Sequence, residues 1–120
     1  MLIRDESILN NILCYCNFIY KIMNRVKNDF EVFNNDFEAQ QSVCFNILQI
    51  GENVKKLSNE TKEKYNKVPW DKIVGMRNFV AHDYGSINIK LVFNSTQIDI
   101  PELQVYCLFI LNKEKARNND

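Results

Sequence analysis

Apolar residues recur every three or four positions through the first quarter of the chain, the period of a helix with one buried face. The residues that keep this period are Ile8, Leu9, Ile12, Leu13, Cys16, Ile19, Tyr20, Met23 and Val26. The pattern predicts a first helix over roughly residues 5 to 28. The whole chain has only three Gly and two Pro, which is too few for an all-β fold with many tight turns. Long helices with few connections are therefore favoured.

The rest of the chain gives five more helical signals. A second helix begins at Asn35 or Asp36, because either side chain can accept a backbone N–H at a helix start. Ser58 can cap a short third helix that ends near Tyr65. Pro69 suits the first turn of a fourth, since its missing N–H would have no partner there. The last three predicted helices span about Pro69 to His82, Ile87 to Thr96 and Pro101 to Ala116.

No strand is required to complete this pattern. Residues 87–93 alternate as a strand would, but an isolated strand has no partner for its hydrogen bonds. We therefore predict an all-α fold, an up-and-down helical bundle of about four main helices plus short helices. The length of 120 residues allows a single domain over residues 1–120 and excludes a second folded unit.

Charge and cysteine content narrow the functions open to such a bundle. Fifteen basic and fifteen acidic residues cancel, so a nucleic acid would have to bind at a local site rather than through long-range attraction. The four cysteines form no C-x-x-C pair and there is one histidine, which predicts no metal site and no cofactor. The cysteines are expected to be small buried hydrophobes in a reducing cytoplasm. Neither a signal peptide nor a membrane-length apolar run is recognisable.

The predicted fourth helix interrupts its own apolar face with a charge. On a helical wheel the apolar arc contains Trp70, Ile73, Val74, Val80, Ala81 and Tyr84. Arg77 falls near the centre of this arc. Its guanidinium could reach out along the aliphatic stem, pair with a buried carboxylate such as Glu52, or face a cavity prepared for an anion.

Asn78 and His82 lie four residues apart and so share one face of the same helix, together with Gly75 and Asp71. Small and polar residues beside the single histidine leave space for a ligand. Arg77 and His82 are five residues apart, about 140° around an ideal helix. They can converge if the helix unwinds near His82, where Asp83, Tyr84 and Gly85 follow, or if they meet across a symmetric dimer.

Two helical glycines and a lysine run are more easily explained by structure than by chemistry. Gly51 costs about 1 kcal/mol relative to Ala inside a helix, which indicates close approach of another backbone. Gly75 is interpreted in the same way, as a packing position. The lysines at 55, 56, 62, 64 and 67 are typical of a solvated face, although they could also guide RNA.

Three segments resemble the HepT-like branch of the HEPN superfamily: Gln49–Glu52, Val68–Trp70 and Ile73–Tyr84. The superfamily is marked by an arginine, four to six residues, and then a histidine. Arg77 and His82 match this spacing, and Tyr84 completes the longer form R-x4-H-x-Y. Residues 88 and 93 are Asn and Phe, where many relatives have an acidic residue and a tryptophan, and this departure concerns the fifth predicted helix.

The resemblance implies a HEPN-like bundle that forms a homodimer, builds a cleft from both copies of Arg77 and His82, and cuts RNA without a metal. In this scheme Asn78 positions the phosphate. Members of the branch are toxins paired with an MntA-type nucleotidyltransferase antitoxin, which silences them by adding AMP to the motif tyrosine, here Tyr84. The 2′-hydroxyl of RNA supplies the nucleophile, so His82 is expected to move protons and Arg77 to stabilise the developing charge.

Other interpretations of the same residues stay open at this point. His82 could be a helix cap or a surface group, and Tyr84 an aromatic at the edge of the core. The chain could be a non-catalytic HEPN module that binds a nucleotide or serves as a scaffold for the nucleotidyltransferase. It could also be a relative that folds without activity.

Overall fold

The computed structural model describes residues 1–82 and 88–118, with the side chains of His82 and Asn118 excepted. Every regular element in these ranges is a helix, which confirms the all-α prediction. The helices are α1 (Ile3–Arg25), α2 (Phe30–Asn34), α3 (Phe37–Lys56), α4 (Asn59–Lys64), α5 (Trp70–His82), α6 (Ile89–Gln97) and α7 (Asp99–Asn118).

Helix α3 lies at the centre of the bundle, packed against α1 on one side and α5 on the other. Helix α7 packs against α1 and α6. The core forms along these contacts from fully buried side chains that include Leu9, Ile12, Cys16, Val43, Ile50, Val54 and Ile110. Each such aliphatic side chain contributes about 1.5–3 kcal/mol by leaving water, so the α1 and α3 periodicities stabilise the bundle directly.

Helix starts follow the predicted caps. The Asp36 carboxylate accepts the Ala39 N–H at 3.0 Å, and the Ser58 hydroxyl accepts the Thr61 N–H at 3.2 Å. Asp36, not Asn35, is thus the cap of α3. Asn88 caps α6 in the same way. This helix was predicted to begin at Ile87, which lies outside the described residues. It begins instead at Ile89, with Asn88 as its cap.

The end of α1 and the whole of α2 differ from the prediction. Helix α1 ends at Arg25 rather than residue 28, because Lys27 and Asn28 adopt left-handed φ angles of 62° and 51°. The Asn28 N–H bonds back to the Met23 carbonyl at 2.8 Å, which closes the helix end. No helix was predicted for the segment that follows, but it forms the five-residue helix α2 and buries Phe33 completely.

Helix α7 begins two residues earlier than expected, at Asp99. Pro101 is its third residue, within the first turn, where the missing N–H costs no intrahelical hydrogen bond. The thiols of Cys16, Cys44 and Cys107 are buried, as predicted, while Cys14 is exposed and departs from the prediction. Burial raises the pKa of the Cys16 thiol to about 12, so this cysteine stays a neutral, unreactive part of the core.

Two buried carboxylates that the sequence patterns did not indicate fix α4 between its neighbours. Asp5 of α1 accepts hydrogen bonds from Ser58, through N–H and hydroxyl, and from the Thr61 hydroxyl at 2.6 Å. Burial raises the pKa of Asp5, but these hydrogen bonds outweigh burial and leave it lowered. Glu114 of α7 accepts from Lys64 Nζ at 2.9 Å and from the Tyr65 hydroxyl at 2.7 Å.

Candidate functional site

Helix α5 carries the candidate residues Arg77, Asn78 and His82 and lies along α3. It starts at Trp70, whose indole N–H donates to the Tyr65 carbonyl at 3.1 Å and so ties α5 to the end of α4. Trp70, Ile73 and Val80 are buried, which confirms these three members of the predicted apolar arc. Ala81 is exposed, so the buried arc is narrower than predicted.

Arg77 takes the second of the three arrangements that the sequence left open, because it pairs with a carboxylate. Its Nε forms an ion pair with Glu52 Oε1, and its Nη1 donates to the Asn78 side-chain oxygen at 3.0 Å. The Arg77 side chain is 23% exposed and that of Glu52 37%. The pair therefore lies at the edge of the α3–α5 contact: the Nε and Oε1 atoms that meet are buried, while other parts of both side chains reach solvent.

Gly51 makes this arrangement of Arg77 possible. A Cβ added at Gly51 would overlap the Cβ and Cγ atoms of Arg77 and lie 3.5 Å from its Cα. The predicted close approach at Gly51 is thus confirmed, and the approaching group is the arginine stem with the α5 backbone behind it. Gly51 immediately precedes Glu52, so one turn of α3 supplies both the gap for the stem and the partner for the guanidinium.

Gly75 has the opposite environment. A Cβ added there would meet no heavy atom within 4 Å among the residues that the structure describes, so the prediction of a packing role for Gly75 is wrong within one chain. Asp71, Gly75 and Asn78 are all exposed along one side of α5. This side is the face on which the sequence placed Asn78 and His82, and it is open to solvent in the described part of the chain.

Helix α5 stays helical up to His82, its last residue. Unwinding before this residue therefore does not bring positions 77 and 82 together. The side chain of His82, and residues Asp83, Tyr84 and Gly85, lie outside the described residues. The modification site expected at Tyr84, and any unwinding of the helix beyond His82, which was one of the two alternatives, therefore fall outside the described residues.

An open groove that the sequence patterns did not indicate runs beside the exposed face of α5. It has a volume of about 310 Å³, and its apolar lining includes Ile47, Met76, Phe79 and Leu91, with Gly75 at the same wall. Lys72 and Asp99 form an ion pair at 2.9 Å among its lining residues. The open Gly75 position thus faces a space with apolar walls, and among the described residues neither Arg77 nor Asn78 lines this groove.

Phe93 of α6, at the position where many relatives have a tryptophan, packs against aromatic residues of α2. Phe93 packs edge-on against Phe30 at 5.4 Å between ring centres and lies 5.9 Å from Phe33. Lys90 extends over the Phe30 ring at 4.1 Å. The smaller ring therefore still joins α6 to α2.

The lysine run is mostly solvated, as predicted. The side chains at 55, 56, 64 and 67 are exposed and that at 62 is half-buried. Lys64 departs from the rest because it pairs with the buried Glu114. Within the described ranges, no three His, Cys, Asp or Glu side chains group together as metal ligands, and no helix there is long and apolar enough to cross a membrane.

An all-α bundle with an Arg-Asn pair on a helix that ends at a histidine defines a HEPN-like protein. The family described as "Ribonuclease HepT-like" matches residues 12–110. The chain belongs to the HepT-like ribonuclease family of the HEPN superfamily.

Similar proteins agree with this membership. The chain is 38% identical over 108 residues to "Putative RNase TTE0752" of Caldanaerobacter subterraneus, covering 89% of this chain and 94% of that protein. It is 32% identical over 103 residues to "Putative RNase MJ0125" of Methanocaldococcus jannaschii, covering 84% and 86%. It is 29% identical over 75 residues to "Probable ribonuclease HepT" of Thermococcus cleftensis, covering 62% and 68%. No solved structure matches the chain significantly.

Proposed function

We propose that this chain is a metal-independent endoribonuclease that cleaves RNA in a cleft between two copies of α5. The observation that carries the proposal is the arrangement of Arg77, whose partly exposed guanidinium is held between Glu52 and Asn78 on the helix that ends at His82. The names of the similar proteins point to the same substrate class.

RNA cleavage without a metal needs a base for the 2′-hydroxyl proton and a cation for the charge that develops on the phosphate. His82 accepts the proton as the 2′-oxygen attacks phosphorus, and Arg77 donates to a non-bridging oxygen. The bond from phosphorus to the 5′-oxygen breaks, and a second histidine, from the other copy, protonates this leaving oxygen. The products are a 2′,3′-cyclic phosphate and a 5′-hydroxyl end.

A homodimer supplies the second histidine. Positions 77 and 82 differ by about 140° around a helix that is regular up to His82, so one copy does not direct both positions to one point. The exposed face with Asp71, Gly75 and Asn78 allows two α5 helices to approach closely, because Gly75 has no side chain and open space in front of it. In a symmetric pair the two arginines and two histidines share one cleft.

As a toxin, this nuclease would be paired with an MntA-type nucleotidyltransferase antitoxin in a reducing cytoplasm. The antitoxin would transfer AMP to the hydroxyl of Tyr84, which follows His82 by two residues in the sequence. Co-expression with such an enzyme should add the mass of one AMP per chain, and Tyr84→Phe should abolish the addition. Absence of the mass gain in the wild-type chain would refute this pairing.

The test of the nuclease proposal uses RNA and purified protein in EDTA. Wild-type protein should cut RNA to ends with a 2′,3′-cyclic phosphate and leave the matching DNA intact, because DNA lacks the nucleophile. His82→Ala should lose about a hundredfold or more of the cleavage rate, the usual contribution of positioned proton transfer. Equal cleavage by wild type and His82→Ala would refute the proposal. Binding of nucleotide or of the nucleotidyltransferase without any cleavage would favour the non-catalytic HEPN module.

A further inference from the structure

We propose that Glu52 is a positioning residue for Arg77. Gly51 allows this contact, because its missing side chain leaves room for the Arg77 stem to pass over α3 and reach Glu52. This inference rests on the proposed ribonuclease function, because it assigns Glu52 a role in the same site. The juxtaposition that carries it is the Gly51-Glu52 pair of α3 beneath Arg77 of α5.

The guanidinium is held from two directions. A guanidinium has five N–H donors in one plane. Nε is engaged by Glu52 from α3, and Nη1 by Asn78 from α5 itself. Two contacts from different elements fix both the position and the plane of the group. With Nε engaged, the guanidinium can meet a phosphate through its Nη end, where two parallel N–H groups match two phosphate oxygens.

The position of the pair favours a role in the site over a role in stability. The contacting Nε and Oε1 atoms are buried but share no hydrogen bond, and the rest of the Glu52 side chain is exposed. An ion pair that is partly exposed and lacks a hydrogen bond contributes little to the free energy of folding. The same contact requires Gly51, a residue that weakens a helix interior. A pair that adds little stability and needs an unfavourable residue is better explained by what it does to Arg77.

Because Glu52 is negatively charged, its removal is expected to affect kcat and KM for RNA differently. A carboxylate beside Arg77 reduces the net attraction for the RNA phosphate, so its removal does not weaken RNA binding in the ground state. Its removal frees the guanidinium to rotate, and misplacement by about 1 Å can cost a hundredfold in rate. Glu52→Ala should therefore lower kcat by about tenfold to a hundredfold, with KM for RNA unchanged or lower.

The experiment compares wild type, Glu52→Ala and Glu52→Gln on a labelled RNA oligonucleotide in EDTA. Glu52→Gln keeps the length of the side chain and removes its charge; because Nε and Oε1 form an ion pair without a hydrogen bond between them, Glu52→Gln should lose kcat much as Glu52→Ala does. Glu38→Ala, at an exposed position in the first turn of the same helix, is the matched control and should behave as wild type. A rise in kcat for Glu52→Ala, a loss that appears only in KM, or an equal loss in Glu38→Ala would overturn the proposal.

A second readout does not depend on activity. The chain has four arginines, so the Nε–Hε NMR signal of Arg77 can be assigned by its loss in Arg77→Lys. In wild type this hydrogen should exchange slowly with water, and in Glu52→Ala its exchange should be much faster. Unchanged exchange would overturn the positioning role. If wild type cuts no RNA but the exchange changes as expected, the proposed nuclease function fails while the anchoring of Arg77 by Glu52 stands.

Discussion

Adding one methyl group at Gly51 is the most direct perturbation of the contact between α3 and α5. The new Cβ of Gly51→Ala would overlap two atoms of the Arg77 stem, with the α5 backbone immediately behind. Overpacking of this kind costs about 1–3 kcal/mol, and the upper end applies because backbone lies behind the stem. Replacing a helical Gly by Ala returns about 1 kcal/mol. The expected net loss is about 2 kcal/mol of unfolding free energy.

Gly75→Ala is the matched control, because it makes the same chemical change in the interior of a helix, where the new Cβ would meet no described atom within 4 Å. It should stabilise the monomer by about 1 kcal/mol. Gly51→Ala should thus be less stable than wild type and Gly75→Ala more stable, and their unfolding free energies should differ from each other by about 3 kcal/mol. For a chain of this size each kcal/mol corresponds to about 4 °C in Tm.

Urea unfolding of the monomer at low protein concentration measures both values. Trp70 is the single tryptophan and is buried at the start of α5, so its fluorescence reports directly on the contact. Circular dichroism at helical wavelengths should give the same midpoints. If Gly51→Ala proves as stable as wild type, the stem does not cross α3 at this position, and the argument for Glu52 loses its structural basis.

Three variants test the remaining expectations, which concern Arg77, Glu114 and Gly75. Arg77→Lys keeps the charge but loses the two-pronged contact, so RNA cleavage should fall about a hundredfold; full activity in a gel assay would mean simple charge attraction. Lys64 and Tyr65 lower the pKa of Glu114 to about 2, so its stabilisation is complete above pH 4.5 and is lost as pH falls toward 2. Glu114→Gln should flatten acid unfolding between these values, and an unchanged acid midpoint would contradict this. Gly75→Ala should weaken the proposed dimer in sedimentation, whereas unchanged association would place the interface elsewhere.

Much of the fold follows from patterns that act locally. The spacing of apolar residues located the long helices, and the caps at Asp36 and Ser58 fixed two helix starts, because a side-chain oxygen and a backbone N–H three residues later need no distant partner. Helix α2 was not predicted, because five residues are too few to show a helical period. The early end of α1 was missed because Lys27 and Asn28, rather than a glycine, take the left-handed conformation.

The site was only partly predictable because it depends on how two distant helices align. Sequence left three arrangements for Arg77, and the choice among them follows from the position of α5 along α3, which places residue 77 over Gly51. The glycine itself was an adequate signal of close approach, but it did not name the approaching group. In the proposed dimer His82 meets Arg77 only across a second chain, so no pattern within one chain could determine that part of the site.

The alignment of α5 on α3 is in turn controlled by charges far from Arg77. Asp5 holds the start of α4, Glu114 holds its end, and the Trp70 indole then bonds to the carbonyl of Tyr65, the residue that Glu114 engages. The first residue of α5 is therefore placed relative to α1 and α7 through a chain of buried hydrogen bonds. Because a buried carboxylate that loses its partner costs more than a surface contact, this anchoring resists slippage of α5. The start of the helix that carries the candidate arginine is thus placed by two acidic residues, Asp5 and Glu114, that do not touch that arginine.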